Sequence, residues 1–275
     1  MKLIDLDEKF NVRMAQAIER YAGTRTEAEW EDEIAAQYAR FGQTPLKELG
    51  GLTPRQYFAQ MSDERLTETL KEYLLQGVPV PDFLSEELES RGACPAVLAL
   101  LSETDEELVM YALNAAGADA RAAGRLAQML GEEGYDGHVK DAVADLLKAR
   151  ADDVTVPMLS LLGGENAPYA LEVLSKTRRR DERVYTALLD AFLGGGEADM
   201  PLYAGYLASY GDERALPHLL SAIDREDIGF VAFQELKFAI EALGGSYDKE
   251  RDFSGDAAYK AIMAAGGGTD IFGKK

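Results

Sequence analysis

The chain has 275 residues, 47% of them hydrophobic, so it can bury a large core and is not a disordered polymer. Its formal net charge is -20, from 49 acidic and 29 basic residues; this opposes nucleic-acid binding, which relies on cations neutralising phosphates, and attachment to anionic membranes. One cysteine, Cys94, excludes an internal disulfide framework and suits a reducing compartment.

The first residues, Met1 to Phe10, carry five charges and no long apolar run, so no signal peptide is expected. The longest apolar stretches, such as Ala96 to Leu101, fall far short of the roughly 18–20 residues that span a bilayer. The expected location is cytoplasmic. Asp5 to Tyr21 and Glu27 to Phe41 read as amphipathic helices, the second with Trp30, Ile34, Tyr38 and Phe41 on one stripe. Leu49-Gly50-Gly51-Leu52 lacks the lysine of a phosphate loop and is assigned to a turn. Thr53-Pro54-Arg55-Gln56 joins a capping box to a proline at the first helical position, which predicts a short helix through Met61.

From Asp63 onward the pattern changes to a repeat. The triplet Asp-Glu-Arg begins at Asp63, Asp181 and Asp212, and related starts fall at Ser90, Asp119 and Asp152, at intervals of 27 to 33 residues. Such a period signals stacked arrays. Seven residues after each start stand Leu70, Val97, Leu126, Leu159, Leu188 and Leu219, all apolar. Eleven residues after come Leu74, Leu101, Leu130, Gly163, Phe192 and Ile223, of which Gly163 alone breaks the rule. A spacing of four puts both positions on one helical face.

Each unit reads as two helices, with acidic residues favouring the first turn and glycine clusters at Gly163-Gly164 and Gly194 to Gly196 between partners. In the last unit the helices are predicted near Glu213 to Ile223 and Phe230 to Leu243. Gly255 to Ala265 is expected to form one closing helix, and the tail beyond it to be mobile. A helix pair cannot bury both apolar faces alone, so neighbours must stack. The expected fold is all-α: residues 1–62 as an N-terminal helical cap, 63–245 as an α-solenoid of about six helix pairs, and 246–275 as a closing helix and tail.

Asp212 to Gly245, with Arg214-Ala215-Leu216-Pro217-His218-Leu219-Leu220 and the ending Ala239-Ile240-Glu241-Ala242-Leu243-Gly244, resembles a HEAT-like repeat. It is similar in particular to the subtype of phycobilisome-lyase HEAT-like proteins. Such repeats often carry a proline mid-way along the first helix, where Pro157, Pro217 and Pro95 match and Gly124 and Thr186 depart. The resemblance implies architecture and almost nothing about activity. HEAT-like metal-dependent hydroxylases use His-Glu dipeptides, and this chain has none. HEAT-like DNA glycosylases need a basic groove, which the net charge opposes.

Chemistry-bearing residues are sparse. His138 and His218 lie about 80 residues apart, so neither a zinc site nor a nucleophilic triad can be assembled, and no metal or cofactor is expected. Cys94, between Ala93 and Pro95, reads as a buried position. Arg178-Arg179-Arg180 reads as the solvated end of a helix, its cations facing the negative end of the dipole. The binding candidates are aromatic. Tyr-Ala recurs at Tyr111, Tyr169 and Tyr203, each in a predicted second helix, and Tyr206 and Tyr210 extend the set. Phe230, Phe233 and Lys237 raise the same question in the last repeat. These rings either line a concave groove or pack between helices. The functional expectation is a non-enzymatic scaffold that binds a protein or peptide, one with a basic region, along the concave face. A small-molecule or bilin-lyase-like role in a groove pocket is the alternative, and stacking of end repeats would give a homodimer.

Overall fold

The computed structural model describes residues 3–20 and 26–265. Among them every regular element is helical and no strand occurs, as the periodicity requires. Two compact units, 1–143 and 144–275, divide the chain.

In the first unit, α1 (Leu6–Arg20) and α2 (Glu27–Phe41) precede a 3-10 turn (Lys47–Leu49) and α3 (Pro54–Ala59). The capping boxes form as their sequences demand: Thr26 with Glu29 opens α2, and Thr53 with Gln56 opens α3. Next come α4 (Asp63–Gln76), α5 (Asp82–Arg91), α6 (Pro95–Leu100), α7 (Glu106–Ala116) and α8 (Ala120–Gly131). The units divide within α9 (Gly137–Lys148). α4 packs on α5 and α6, while α5 packs on α7 and on α3. First helices thus meet first helices and second helices meet second helices, in two layers. The Tyr73 hydroxyl donates to the Ile4 carbonyl at 2.9 Å and ties the N-terminal segment to α4.

The second unit repeats this plan with α10 (Thr155–Leu161), α11 (Ala167–Leu174), α12 (Glu182–Gly194) and α13 (Met200–Tyr210). A 3-10 turn (Glu213–Ala215) then leads into α14 (Leu216–Ile223), followed by α15 (Phe230–Ala242) and α16 (Ala257–Ala265). α10 meets α12, and the second helices α11, α13 and α15 pack in succession. The predicted closing helix is present as α16; the tail beyond residue 265 lies outside the described residues.

The repeat register holds at Leu70, Val97, Leu126, Leu188 and Leu219, all buried to 1% exposure or less. Burying one such side chain contributes about 1.5–3 kcal/mol. Leu159 departs from the rule and is half-buried, and Met158 takes the core position. The cause lies in the loop before α10, which buries Ala151 and Val154; Met158 stands one helical turn beyond Val154 and inherits its direction. The prolines also sit earlier in their helices than mid-way. Pro95 and Pro217 occupy the first two positions of α6 and α14, and Pro157 the first turn of α10, where backbone N–H groups have no intrahelical partner to lose.

Three of the acidic starts are capping clamps. Asp119, Asp181 and Asp212 each accept the backbone N–H two residues on, and each carboxylate grips the guanidinium of that same residue, Arg121, Arg183 or Arg214. The operative motif is therefore Asp-x-Arg rather than Asp-Glu-Arg. Asp63 departs from it: Ser62 caps α4, and Asp63 pairs with Arg91 of α5 at 2.8 Å. The clamp holds the Asp181 carboxyl down at about 2, through the Arg183 side chain first and its backbone N–H second.

Candidate functional site

The tyrosines singled out from the sequence fall in different surroundings. Tyr111 lies half-buried on α7 in the first unit, and Tyr169 half-buried on α11 in the second. Tyr203 and Tyr206 do come together, on α13, with ring centroids 6.0 Å apart at 60°. Tyr203 lies against Gly195, where an added Cβ would sit 2.9 Å from the ring, so the close approach requires glycine. Burial, then the charge of Glu172, pushes the Tyr206 phenol up to about 12.

Tyr210 is a buried brace. Its hydroxyl accepts the Asp181 N–H at 2.9 Å and donates to the Asp181 carbonyl at 3.1 Å. The Arg180 guanidinium lies 5.0 Å from the centre of its ring. Phe230 and Phe233 are buried beneath the C-terminal segment. Phe253 and Tyr259 meet Phe230 edge-on at 5.3 and 5.0 Å, while Phe253, Tyr247 and the Arg251 guanidinium cover Phe233. Lys237 is half-buried beside a recess of about 630 Å³ that this segment helps to form.

A groove of about 550 Å³ in the first unit gathers side chains that the sequence alone did not connect. α1 contributes Asp7 and Phe10, α2 contributes Glu31, Ile34 and Tyr38, and the first residue of α5 contributes Asp82. Its wall is aromatic. Tyr38 stacks on Phe83 at 4.9 Å and 13°, and Phe10 meets Tyr38 edge-on at 4.9 Å. The apolar stripe predicted for α2 is split by this arrangement: Phe41 is buried, Tyr38 and Trp30 are half-buried, and Ile34 remains exposed at the groove.

The groove's electrostatics are one-sided. Among the described residues that line it, three are carboxylates and none is a lysine or arginine. The Tyr38 hydroxyl donates to Asp7 Oδ1 at 3.4 Å. Burial raises the Asp7 carboxyl above the usual range, and the neighbouring charge of Asp82 raises it further. The Tyr38 phenol is pushed well above its ordinary value by burial first, then by Asp7 and Asp82. Tyr111 shifts the same way, through burial and then Glu107, Asp82 and Asp7, which places it in the field of the same carboxylates. Carboxylates held near an aromatic wall, with no ion-pair partner among the described residues, favour a cation brought from outside.

In the second unit a recess of about 700 Å³ is lined by Leu159, Leu162, Leu171, Ala187 and Ala191 among others. His138 is exposed and His218 half-buried. Among the described residues no group of three or more histidine, cysteine or acidic side chains is placed to hold a metal ion, and no helix is long and apolar enough to cross a membrane. Comparison of the chain with protein-family models, with curated proteins and with solved structures finds no match.

Proposed function

We propose that the chain is a HEAT-like α-solenoid acting as a protein-interaction scaffold. Its N-terminal groove would take a basic segment of a partner protein. The two-layer packing of successive helix pairs within each unit supports the solenoid reading. One observation carries the functional reading: Asp7, Glu31 and Asp82 line an aromatic groove that no lysine or arginine among the described residues lines, and the one cation on its wall, Arg55 over Phe83, is already paired with Glu86. A lysine or arginine entering there would relieve the repulsion between Asp7 and Asp82 and lie against the Tyr38 ring. Ile34, 39% exposed at the rim, offers apolar contact to a residue beside that cation. The acidic field of the chain would speed the encounter. A single buried cysteine, Cys94 at the start of α6, suits a cytoplasmic setting.

Panning a peptide library of random sequence on the intact protein tests this. Enriched peptides should carry lysine or arginine next to an apolar residue, and the Asp7→Asn/Asp82→Asn variant should lose them. Enrichment of peptides without a basic residue, or of basic peptides that the variant retains, refutes the assignment.

A further inference from the structure

The second unit carries a local reversal of charge. A recess of about 740 Å³ lies where the loops after α9 and α11 meet the C-terminal end of α13. Lys148, Arg150, Lys176, Arg178, Arg179 and Arg180 line it against only two carboxylates, Asp152 and Asp153. Acidic residues outnumber basic ones 49 to 29 in the chain as a whole, so this wall is not a sample of the average surface.

Not all of this charge is free. Lys148 pairs with Glu172 at 2.6 Å and with Asp145, and Arg150 lies 3.8 Å from Asp153. Arg180 does what its place beside a helix end suggests, though for a different helix: it donates to the Tyr210 and Gly211 carbonyls at the end of α13. Lys176 donates to the neutral Ser209 hydroxyl at 2.9 Å, so its charge is uncompensated. Arg178 and Arg179 are exposed, and neither guanidinium has an ion-pair or hydrogen-bond partner among the described residues.

Their backbone is fixed all the same. Asp152 Oδ1 accepts both the Arg178 and the Arg179 N–H, at 3.0 and 2.9 Å, which holds the loop in one shape. A second feature is independent of the surface charge. Thr177, adjacent to Arg178, lines the same recess at 2% exposure, and its buried Oγ1 has no hydrogen-bond partner. A buried hydroxyl left unpaired is costly, and a ligand oxygen would satisfy it.

We propose that this recess binds a soluble small molecule bearing phosphate groups. Arg178 and Arg179 would grip its oxygens, Lys176 would add charge, and Thr177 would donate from the floor. Guanidinium forks match oxyanions two bonds at a time, and a loop already held by Asp152 loses little freedom on binding. The volume suits a small molecule. The net charge of -20 disfavours a nucleic acid or an anionic membrane as the source of the phosphate.

Pyrophosphate titrated calorimetrically into the full chain at about 0.15 M salt tests the site. Saturable one-to-one binding is expected, weakened at least about tenfold by Arg178→Ala/Arg179→Ala. Thr177→Val should weaken it by a smaller factor, and Lys260→Ala, on α16, should leave it unchanged. Circular dichroism confirms that each variant is folded, and Thr177→Val carries the test if the double variant is not. Absence of saturable binding, equal binding by the arginine and threonine variants, or equal loss in Lys260→Ala overturns the proposal. So does binding to phosphoinositide-containing vesicles without binding to pyrophosphate.

Discussion

Replacing Tyr210 by phenylalanine separates a structural tyrosine from a binding one. The ring is 4% exposed, so the substitution deletes one buried oxygen and leaves the packing intact. Two hydrogen bonds disappear, both to Asp181. The Asp181 carbonyl is then still satisfied, because the Val184 and Tyr185 N–H groups donate to it at 3.1 Å each. The Asp181 N–H loses its acceptor. An orphaned donor costs about 1–3 kcal/mol, and the lost carbonyl bond adds a few tenths, so Tyr210→Phe should destabilise by about 2 kcal/mol. Urea unfolding followed by helical circular dichroism reads this directly, and a thermal melt should show a fall in Tm of about 4–8 °C. Tyr203→Phe, whose ring is half-buried against Gly195, should stay within about 0.5 kcal/mol of the parent. A Tyr210→Phe protein as stable as the parent would refute the brace and return Tyr210 to the binding candidates.

Three further outcomes follow from the same reasoning. Leu188→Ala should cost about 3 kcal/mol and Leu159→Ala about half as much, since one side chain is 1% exposed and the other half-buried; equal losses in chemical denaturation would contradict the shifted register of α10. Because its carboxyl is raised in the native state, Asp7 favours folding below the ordinary carboxylate range and loses that contribution as pH rises through the raised value. Asp7→Asn should therefore be more stable than the parent near about pH 7, with the advantage shrinking as pH falls through the raised value and gone below about pH 4, as thermal melts at several pH values would reveal. Thr177→Val removes a buried hydroxyl without a partner and should stabilise the ligand-free protein by about 1 kcal/mol in the same denaturation assay.

The helices were legible because their signals are local. Glu27–Phe41 and the helix pairs from Asp63 onward follow from capping residues, glycine stops and a four-residue apolar spacing, none of which needs a distant partner. Register was legible wherever helices start directly at their acidic cap, as at Leu126 and Leu188, and slipped at Leu159, where a loop with its own buried Ala151 and Val154 intervenes. The groove was not legible. Asp7 and Asp82 are separated by 75 positions in a chain with 49 acidic residues, and only packing makes two of them neighbours. The tyrosine set mixed three roles, because the spacing that puts Tyr203, Tyr206 and Tyr210 on one helix does not say which neighbour each meets. For Arg178 to Arg180 the dipole reading accounts for Arg180 alone. The orphan hydroxyl of Thr177 leaves no mark in a sequence.

The Asp-x-Arg clamps close within three consecutive residues, so each helix start completes its own electrostatics before any neighbour arrives. A whole hairpin could then be duplicated or excised by recombination between clamps without stranding a charge inside either product. The Arg214–Glu182 bridge is one tie that such an exchange would sever, with the Arg180 and Lys176 hydrogen bonds to the end of α13 as others, and both partners of the bridge are solvent-exposed. An array assembled this way can change length while its joints keep their chemistry.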